Sequence, residues 1–207
     1  MNTYLQTTRD VVNYTTQFIK GRTLDLGAGS AKYRNIIKPH TTTYTTFDMV
    51  AGPHIDVVGD ILNLPLEDGS FDSVISTQVL EHVEKPWVMI QQIRRVLAKG
   101  GTCILSAPFL IPYHADPHDY FRYTVTGLSS LFKNEGFEIV ECKPYGRIFS
   151  TVTEFIHFFF FNHYENPARH KRFEKFISLI QKIARKLDVY VKDSNIYANV
   201  YIVARKK

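Results

Sequence analysis

The clearest indication of the fold class is one short segment, Leu24-Asp25-Leu26-Gly27-Ala28-Gly29-Ser30-Ala31. Its apolar start is typical of a short strand, and the two glycines that follow allow the backbone to turn tightly and to approach a ligand closely. A short helix is expected over residues 31–38, where Pro39 ends it. A glycine turn between a strand and a helix predicts a ligand crevice at the carboxyl end of a sheet.

Two kinds of nucleotide ligand are compatible with a glycine turn of this type. A dinucleotide pattern requires glycine at the sixth position of the motif, and Lys32 occupies that position here. Asp25 precedes the first glycine by two residues and places a carboxylate at the end of the strand. A carboxylate suits a cofactor that carries an ammonium group, whereas it would repel a pyrophosphate. The pattern therefore disfavours NAD and FAD.

Segments with strand and helix patterns alternate along the rest of the chain. A helix is predicted over residues 86–98, with Trp87, Ile90, Ile93 and Leu97 on one face, and Thr124 is predicted to cap a helix over residues 128–134. The predicted strands are residues 23–26, 43–47, 55–58, 71–76, 102–107, 137–142 and 199–204. This alternation predicts an α/β fold, namely an open, seven-stranded, mainly parallel sheet with helices on both faces.

The net charge of +5 is the sum of the charges of two unlike parts of the chain. Residues 1–142 carry 12 basic and 15 acidic side chains, whereas residues 143–207 carry 13 basic and 5 acidic ones. We expect a single domain over residues 1–207, with a helical insertion over residues 146–195 between strands six and seven. The basic side chains that surround the apolar stripe of the helix after Pro167 are Lys171, Arg172, Lys175, Lys182, Arg185 and Lys186.

The two cysteines and the absence of a long apolar run indicate the cellular compartment. Cys103 and Cys142 both lie in apolar segments typical of strands, which predicts reduced core thiols rather than a disulfide scaffold. No stretch approaches the roughly 18 consecutive apolar residues of a membrane-spanning helix. We therefore expect a cytoplasmic protein, with peripheral attachment to a membrane left open.

Four blocks of sequence, in their order and spacing, resemble the class I S-adenosylmethionine (SAM)-dependent methyltransferases, and more narrowly the small-molecule branch called type 11. The blocks are residues 24–31, residues 47–48, residues 59–66 with 69–72, and residues 79–83 with 97–101. The family often has a third glycine where this chain has Ala31. The resemblance covers residues 20–145 and the last strand, and it implies a Rossmann-like sheet that binds SAM and releases S-adenosylhomocysteine.

The resemblance also implies roles for individual residues. Asp25 and the glycine turn would hold the methionine end of the cofactor, Asp48 the ribose hydroxyls, and Asp60 with Ile61 the adenine. The cofactor-binding residues implied in this way are Asp25, Gly27, Ala28, Gly29, Asp48, Met49, Asp60, Ile61, Gln78 and His82. Structural roles remain open for three of them, because Asp48 and Asp60 could simply form turns and His82 could pack its helix.

The long loop after strand five, residues 108–124, is expected to border the acceptor pocket. His114 or His118 is a candidate general base, since histidine titrates near neutral pH, and Arg122 is a candidate for holding an anionic or sugar-like acceptor. A purely structural pair of Asp119 with Arg122 is the alternative. A metal chelate of His114, Asp116 and His118 is disfavoured because two prolines make the loop irregular, so no metal is expected.

These observations predict transfer of a methyl group to an oxygen or nitrogen atom of a small-molecule or lipid- or sugar-linked acceptor. A non-catalytic SAM-fold binding or scaffold protein and an RNA methyltransferase are the alternatives. Nucleic acid is a disfavoured partner, because residues 76–79 lack the Pro-Pro-aromatic signature of nucleic-acid amino methylases. The basic insertion has three open roles: a lid over the body, a homodimer face, or a peripheral membrane contact through residues 148–190.

Overall fold

Seven strands form one sheet in the order β3-β2-β1-β4-β5-β7-β6. The computed structural model describes residues 5–115, 117–162, 167–191 and 195–207, and the side chains among them except those of residues 160–162 and 167–174. The strands are β1 (Arg22–Leu26), β2 (Thr43–Asp48), β3 (Val57–Val58), β4 (Phe71–Thr77), β5 (Leu97–Pro108), β6 (Phe137–Tyr145) and β7 (Asn199–Lys206). β1 to β5 pair in parallel, and β7 is antiparallel to both of its neighbours.

Six α-helices accompany the sheet in the described part of the chain. They are α1 (Thr8–Thr15), α2 (Arg34–Ile37), α3 (Pro86–Val96), α4 (Val125–Asn134), α5 (Ile148–Asn162) and α6 (Pro167–Asp188). The predicted fold class is confirmed, because α5 and α6 form the helical insertion between β6 and β7 of a mainly parallel sheet. None of the helices in the described ranges is long and apolar enough to cross a membrane.

Alternation along the strands places a core on each face of the sheet. Val74 and Leu105 pack on the side of α3 and α4, whereas their neighbours Ile75 and Ile104 pack on the side of α1 and α2. The two cysteines are unpaired, with Cys103 buried in β5 and Cys142 half-buried in β6. Both faces of the central strands are therefore covered, as a parallel sheet requires.

The face that α3 buries differs from the predicted one. Trp87 is 45% exposed, and Leu97 begins β5 instead of ending the helix. The buried positions of α3 are Pro86, Met89, Ile90, Ile93 and Val96. These positions follow the helical period from Pro86, whereas Trp87 lies one residue, or about 100°, away from that stripe. The prediction was wrong for Trp87 because it was grouped by helical spacing with Ile90 and Ile93, and it lies beside the buried stripe that they share.

The helix predicted over residues 31–38 is also shorter than expected. α2 covers Arg34–Ile37 only, because Ala31 has a left-handed backbone with φ of 51° and cannot belong to a right-handed helix. α1 was not predicted at all, although Thr7 and Asp10 form a capping box at its start. The capping role of Thr124 is confirmed, since its hydroxyl accepts a hydrogen bond from the Gly127 amide at 3.0 Å.

A buried carboxylate joins the two helices of the insertion. Asp188, at the end of α6, is fully buried and accepts hydrogen bonds from the backbone amides of Phe149 and Ser150 at 2.9 and 3.0 Å. It also accepts from the Ser150 hydroxyl at 2.6 Å. These donors belong to the first turn of α5, where backbone amides lack partners within the helix. Asp188 therefore caps α5 from the far end of α6.

Replacing Asp188 by alanine leaves those donors without a partner. We expect Asp188→Ala to lower the free energy of unfolding, measured by urea titration, by about 1–3 kcal/mol. Lys186 lies exposed near the same end of α6, and Lys186→Ala should change that free energy by less than about 0.5 kcal/mol. Equal losses in the two variants would show that Asp188 does not anchor α5.

Candidate functional site

The carboxyl ends of β1, β2, β4 and β5 lie at one edge of the sheet, which we call the ligand edge. The order of the strands reverses there, because β1 lies between β2 and β4. Such a reversal opens a crevice at the carboxyl ends of the strands. β7 is antiparallel, so its first residue, Asn199, also lies at this edge, paired with Pro108 of β5 and Tyr145 of β6.

The glycine turn, residues 27–31, begins directly after β1 at this reversal. Gly27 and Gly29 have left-handed φ values of 73° and 54°. A Cβ atom on Gly27 would lie 2.5 Å from a methyl group of Val79, so the turn packs too tightly for any side chain there. A Cβ atom on Gly29 would have nothing within 4 Å. Gly27 thus serves packing, and Gly29 faces the open space where a ligand can approach.

Asp48 ties this turn to the end of β2. One carboxylate oxygen accepts from the Gly29 amide at 2.8 Å, and the other accepts from the Val50 amide at 3.1 Å. Each oxygen keeps a second lone pair, so the carboxylate can still accept from a ligand hydroxyl. Met49 is 64% exposed next to it. These contacts are compatible with both roles considered for Asp48, which are forming the turn and binding a ligand.

Asp25 is a buried carboxylate at the end of β1. Burial raises its pKa to about 6, although the Tyr44 hydroxyl donates a hydrogen bond to the carboxylate and opposes that rise, and the neighbouring Asp48 charge adds to it. Burial disfavours the charged form of this carboxylate, so a cation placed against it stabilises that form. Asp25 therefore fits the ammonium group of a ligand, which is the chemistry that the sequence predicted for it.

The remaining adenine-side candidates have simple local roles. Asp60 is exposed, and its carboxylate accepts from the Leu62 amide at 2.8 Å, which makes it a turn-former in the loop after β3. Ile61 is partly buried and packs against the core. These contacts agree with the structural alternative for Asp60 and leave a second carboxylate oxygen for a ligand donor.

Gln78 connects the ligand edge to the other half of the sheet. It has a left-handed backbone with φ of 57°, and its side-chain amide donates to the Ser106 hydroxyl at 3.2 Å and to the Tyr145 hydroxyl at 3.0 Å. A non-glycine residue held in this region indicates strain that its surroundings must compensate. The Tyr145 hydroxyl also shares a hydrogen bond with the Thr8 hydroxyl at 3.0 Å.

A cavity of about 190 Å³ opens beyond Tyr145. Its walls come from the segment before α1, from the end of β6, from the start of β7 and from both helices of the insertion. The polar residues in its lining are Gln6, Thr7, Thr8, Tyr145, Ser150, Glu154, Arg185 and Asn199. Glu154 and Arg185 were not predicted as site residues, because nothing in the spacing of the insertion shows that α5 and α6 bring these residues to a cavity beside β7.

Arg122 is fully engaged inside its own loop. Its guanidinium pairs with the buried carboxylate of Asp119 through two nitrogens, and it donates to the carbonyls of Ile111, Pro112 and Phe121. This pairing holds the pKa of Asp119 at about 2. All five guanidinium hydrogens have acceptors, so the geometry favours the structural pair over an acceptor-binding role for Arg122.

The two histidines of the loop have different surroundings. His118 is exposed, and its ring packs against Tyr120 with 5.5 Å between ring centres. His114 is half-buried, and its Nε2 atom lies 3.8 Å from the carboxylate of Glu81. That carboxylate and the Pro112 carbonyl raise the pKa of His114, although partial burial opposes them. Of the two candidate bases, His114 is the one that lies beside a buried carboxylate, that of Glu81.

His82 contacts this loop instead of the glycine turn. Its Nδ1 atom lies 2.6 Å from the His118 carbonyl, and its ring packs edge-on against His114 with 5.2 Å between centres. Glu81, the preceding residue, is completely buried, and neither of its carboxylate oxygens has a hydrogen-bond partner. Glu81 lies within one of the four blocks, residues 79–83, but was not predicted as a site residue. Burial of a carboxylate without a partner cannot be recognised from the sequence.

The different surroundings of the two glycines predict different costs of substitution. Gly27→Ala adds a clash with Val79 to the strain of a left-handed backbone, and we expect it to lower the free energy of unfolding by about 2–4 kcal/mol. Gly29→Ala adds backbone strain alone, so a loss of about 1–2 kcal/mol is expected. Urea titration measures both, and equal losses would contradict the packing role of Gly27.

Comparison with known proteins agrees with this geometry. A family model described as a methyltransferase domain matches residues 24–105. An uncharacterized methyltransferase of Mycobacterium sp. (strain KMS) is 34% identical over 97 residues, which are 42% of this chain and 38% of that protein. The aligned segment thus spans well under half the length of that relative.

Solved structures share the fold over nearly the whole chain. An S-adenosylmethionine-dependent methyltransferase from Mesorhizobium loti superposes with a TM-score of 0.59 at 16% identity, covering 94% of this chain and 95% of that one. The [4+2]-cyclase SpnF superposes with a TM-score of 0.63 at 19% identity, covering 96% and 79%. At these identities the likeness concerns the fold alone. Together with the family match over residues 24–105, it bears out the resemblance of the four blocks to the class I SAM-dependent methyltransferases.

Proposed function

We propose that the protein is a SAM-dependent methyltransferase whose acceptor is a small molecule or a lipid- or sugar-linked group, methylated on oxygen or nitrogen. The observation that carries this proposal is the convergence of Asp25, the glycine turn and Asp48 at the ligand edge of a domain of this family. The carboxylates and the open backbone at Gly29 match the ammonium and hydroxyl groups of this cofactor.

Different residues of the ligand edge hold different parts of the cofactor. Asp25 accepts from the ammonium group, the backbone at Gly29 leaves room for the methionine end, and Asp48 accepts from the ribose hydroxyls. Asp60 and Ile61 lie on the adenine side. When bound, SAM supplies an electrophilic methyl group on a sulfonium centre, so the protein has to align the acceptor and exclude water.

The cavity beyond Tyr145 is the proposed acceptor pocket. Burial raises the pKa of Tyr145, so its phenol stays neutral, and the hydrogen bond that it accepts from Gln78 connects the ligand edge to the cavity. Glu154 and Arg185 place opposite charges in the lining. An acceptor hydroxyl or amine loses a proton on methylation, and Glu154 is a carboxylate within the pocket that can take it. The polar lining suits a hydroxylated or charged acceptor.

A lipid-linked acceptor is favoured by the surface of the insertion that lines this pocket. Large apolar side chains of α5 and α6 are 38% to 61% exposed: Phe149, Val152, Phe155, Ile156, Phe159, Phe176, Leu179, Ile183 and Leu187. Exposed Lys175, Lys182 and Lys186 accompany them, while the side chains of Lys171 and Arg172 lie outside the described residues. A helix pair with apolar and cationic side chains is suited to lie in the headgroup region of an anionic membrane.

Asp25 makes cofactor binding depend on pH. Its carboxyl group becomes protonated as the pH falls through about 6, and the protonated form no longer attracts an ammonium group. We expect the affinity for S-adenosylhomocysteine, measured by calorimetry, to fall about tenfold between pH 7 and pH 5. Asp25→Asn keeps the shape of the side chain without its charge, so its weaker affinity should be flat over this range. A wild-type affinity that does not change with pH would contradict the assignment.

A measurement of turnover distinguishes an enzyme from a non-catalytic protein of the same fold. It is needed because a cyclase shares this fold, so the fold alone does not establish methyl transfer. We expect release of S-adenosylhomocysteine when SAM and lipid-linked acceptors in anionic vesicles are supplied, and little release with water-soluble sugars or amines. Cofactor binding without release from any acceptor in the panel would favour the binding or scaffold alternative.

Attachment to vesicles is a separate prediction for the insertion. Wild-type protein should float with vesicles that contain anionic lipid, and the bound fraction should fall as salt is raised. Leu179→Glu places a charge on the exposed apolar face and should abolish flotation. Asn13→Glu places the same charge at an exposed position of α1, so this variant should retain most of the flotation. A concentration-dependent dimer that Leu179→Glu dissociates, without flotation of the wild type, would assign this face to self-association.

A further inference from the structure

We propose that Glu81, His82 and His114 form a binding site for a divalent transition-metal ion of the Zn²⁺ type. The inference goes beyond methyl transfer and departs from the sequence-based expectation of no metal. It rests on three side chains whose metal-binding atoms all lie within 4.8 Å of one another. It also rests on the arrangement of hydrogen-bond donors and acceptors around them.

The topology of the sheet brings these residues together from separate parts of the chain. Glu81 and His82 belong to the short 3-10 turn Leu80–His82 after β4, and His114 lies in the loop after β5. β4 and β5 are parallel neighbours, with Thr77 paired to Ser106, so both loops leave the sheet at the ligand edge. The Tyr120 amide donates to the Glu81 carbonyl at 2.8 Å and joins the loops directly.

Glu81 is the first indication of a cation-binding site. Its side chain is completely buried, and neither carboxylate oxygen has a hydrogen-bond partner. Burying an ionised carboxylate without a partner costs several kcal/mol, and native structures avoid that cost by pairing the charge or by coordinating a metal ion. The Nε2 atoms of His82 and His114 lie 3.7 and 3.8 Å from Oε1 of Glu81.

The backbone determines which nitrogen of each histidine carries the proton. The Nδ1 atom of His82 lies 2.6 Å from the His118 carbonyl, and that of His114 lies 3.0 Å from the Pro112 carbonyl. A carbonyl oxygen only accepts hydrogen bonds, so Nδ1 is the donor in both neutral rings. The Nε2 lone pairs are then left to face Glu81. Three acceptors converge on one point, and they attract one another only through a cation.

The distances from the Glu81 carboxylate to the two Nε2 atoms, 3.7 and 3.8 Å, and the supports of both rings agree with a metal ion in that position, and binding would draw the ligand atoms, now within 4.8 Å of one another, closer together. Bonds of about 2 Å from Zn²⁺ to nitrogen and oxygen place two ligand atoms roughly 3–4 Å apart, which is longer than a hydrogen bond. Metal-bound histidines donate their other ring N–H to a carbonyl or carboxylate, as both rings do here. The carbonyl that orients His114 is itself held by Arg122 at 3.1 Å.

Two histidines and one glutamate form a ligand set known for catalytic zinc, and three protein ligands leave coordination positions open. The exposed fractions of the His82 and His114 side chains, 17% and 37%, allow an ion and a further ligand to enter. The metal-binding alternative weighed from the sequence shares only His114 with this set. In the structure, His118 contributes its carbonyl to His82 and turns its ring to Tyr120, and Asp116 lies outside the described residues.

The test uses the full chain without a histidine tag, freed of metal by a chelator. Co²⁺ serves as a spectroscopic probe, and Zn²⁺ is titrated against a chromophoric chelator. We expect one ion per chain, visible absorption bands from low-symmetry Co²⁺, and displacement of Co²⁺ by Zn²⁺. Zn²⁺ should also raise the midpoint of thermal unfolding, because an ion that binds only the folded state stabilises it.

Glu81→Gln and His114→Ala should each weaken Zn²⁺ binding by at least about a hundredfold and remove the thermal shift. His118→Ala is the matched control, since it removes a ring from the same loop and keeps the carbonyl that orients His82, so its affinity should match the wild type. The amide of Glu81→Gln can donate to a histidine, so this variant should unfold at or above the midpoint of the metal-free wild type, which shows that it is folded.

Two outcomes would overturn the proposal. One is that the wild type shows neither Co²⁺ absorption nor a thermal shift at millimolar Zn²⁺. In that case protonated histidines supply the positive charge that Glu81 requires. The other is that Glu81→Gln and His114→Ala bind Zn²⁺ as tightly as the wild type, which would place the ion elsewhere on the chain.

Discussion

The contact between the glycine turn and Val79 is the constraint on which the rest of the ligand edge depends. Gly27 packs so closely on the Val79 side chain that no Cβ fits between them, and the amides of Gly27 and Ala28 both donate to the Phe47 carbonyl at the end of β2. One turn therefore joins the ends of β1, β2 and β4 at the point where the strand order reverses. The positions of Asp25 and Asp48 relative to each other follow from this junction.

A second junction holds the loops after β4 and β5. The paired Arg122 and Asp119 side chains stiffen the loop after β5, and His82 and Tyr120 connect it to the turn that carries Glu81. Gln78 then links these loops to Tyr145 and hence to the cavity lined by the insertion. The proposed cofactor residues, the cluster of Glu81 with two histidines, and the cavity proposed for the acceptor are parts of one connected edge.

The sequence predicted well those features that depend on neighbouring residues. Strand positions follow from runs of apolar and β-branched residues, and the cap at Thr124 depends on a group three residues away. Asp25 and Asp48 were found because each ends a strand, and parallel strands bring their ends to a common edge whatever the details of packing. The likeness to a family added the roles of these residues, which local pattern alone does not assign.

Predictions that required knowledge of distant contacts were less accurate. Trp87 was grouped by helical spacing with Ile90 and Ile93, although it is 45% exposed. For Arg122 the sequence left open acceptor binding or a pair with Asp119, and the five acceptors within its own loop favour the pair. Glu154, Arg185 and Tyr145 were not assigned to the cavity, because their meeting depends on how the insertion folds back on β7.

By itself, the sequence determined the α/β class, the glycine turn and the acidic strand ends, because each of these depends on residue type and short-range spacing. Only the tertiary structure decided which side chains meet between the loops. Glu81 is an ordinary acidic residue in the sequence, and His114 lies more than thirty positions away from it. Their convergence, with backbone carbonyls setting the protonated nitrogen of each histidine, exists only once two parallel strands place their loops side by side.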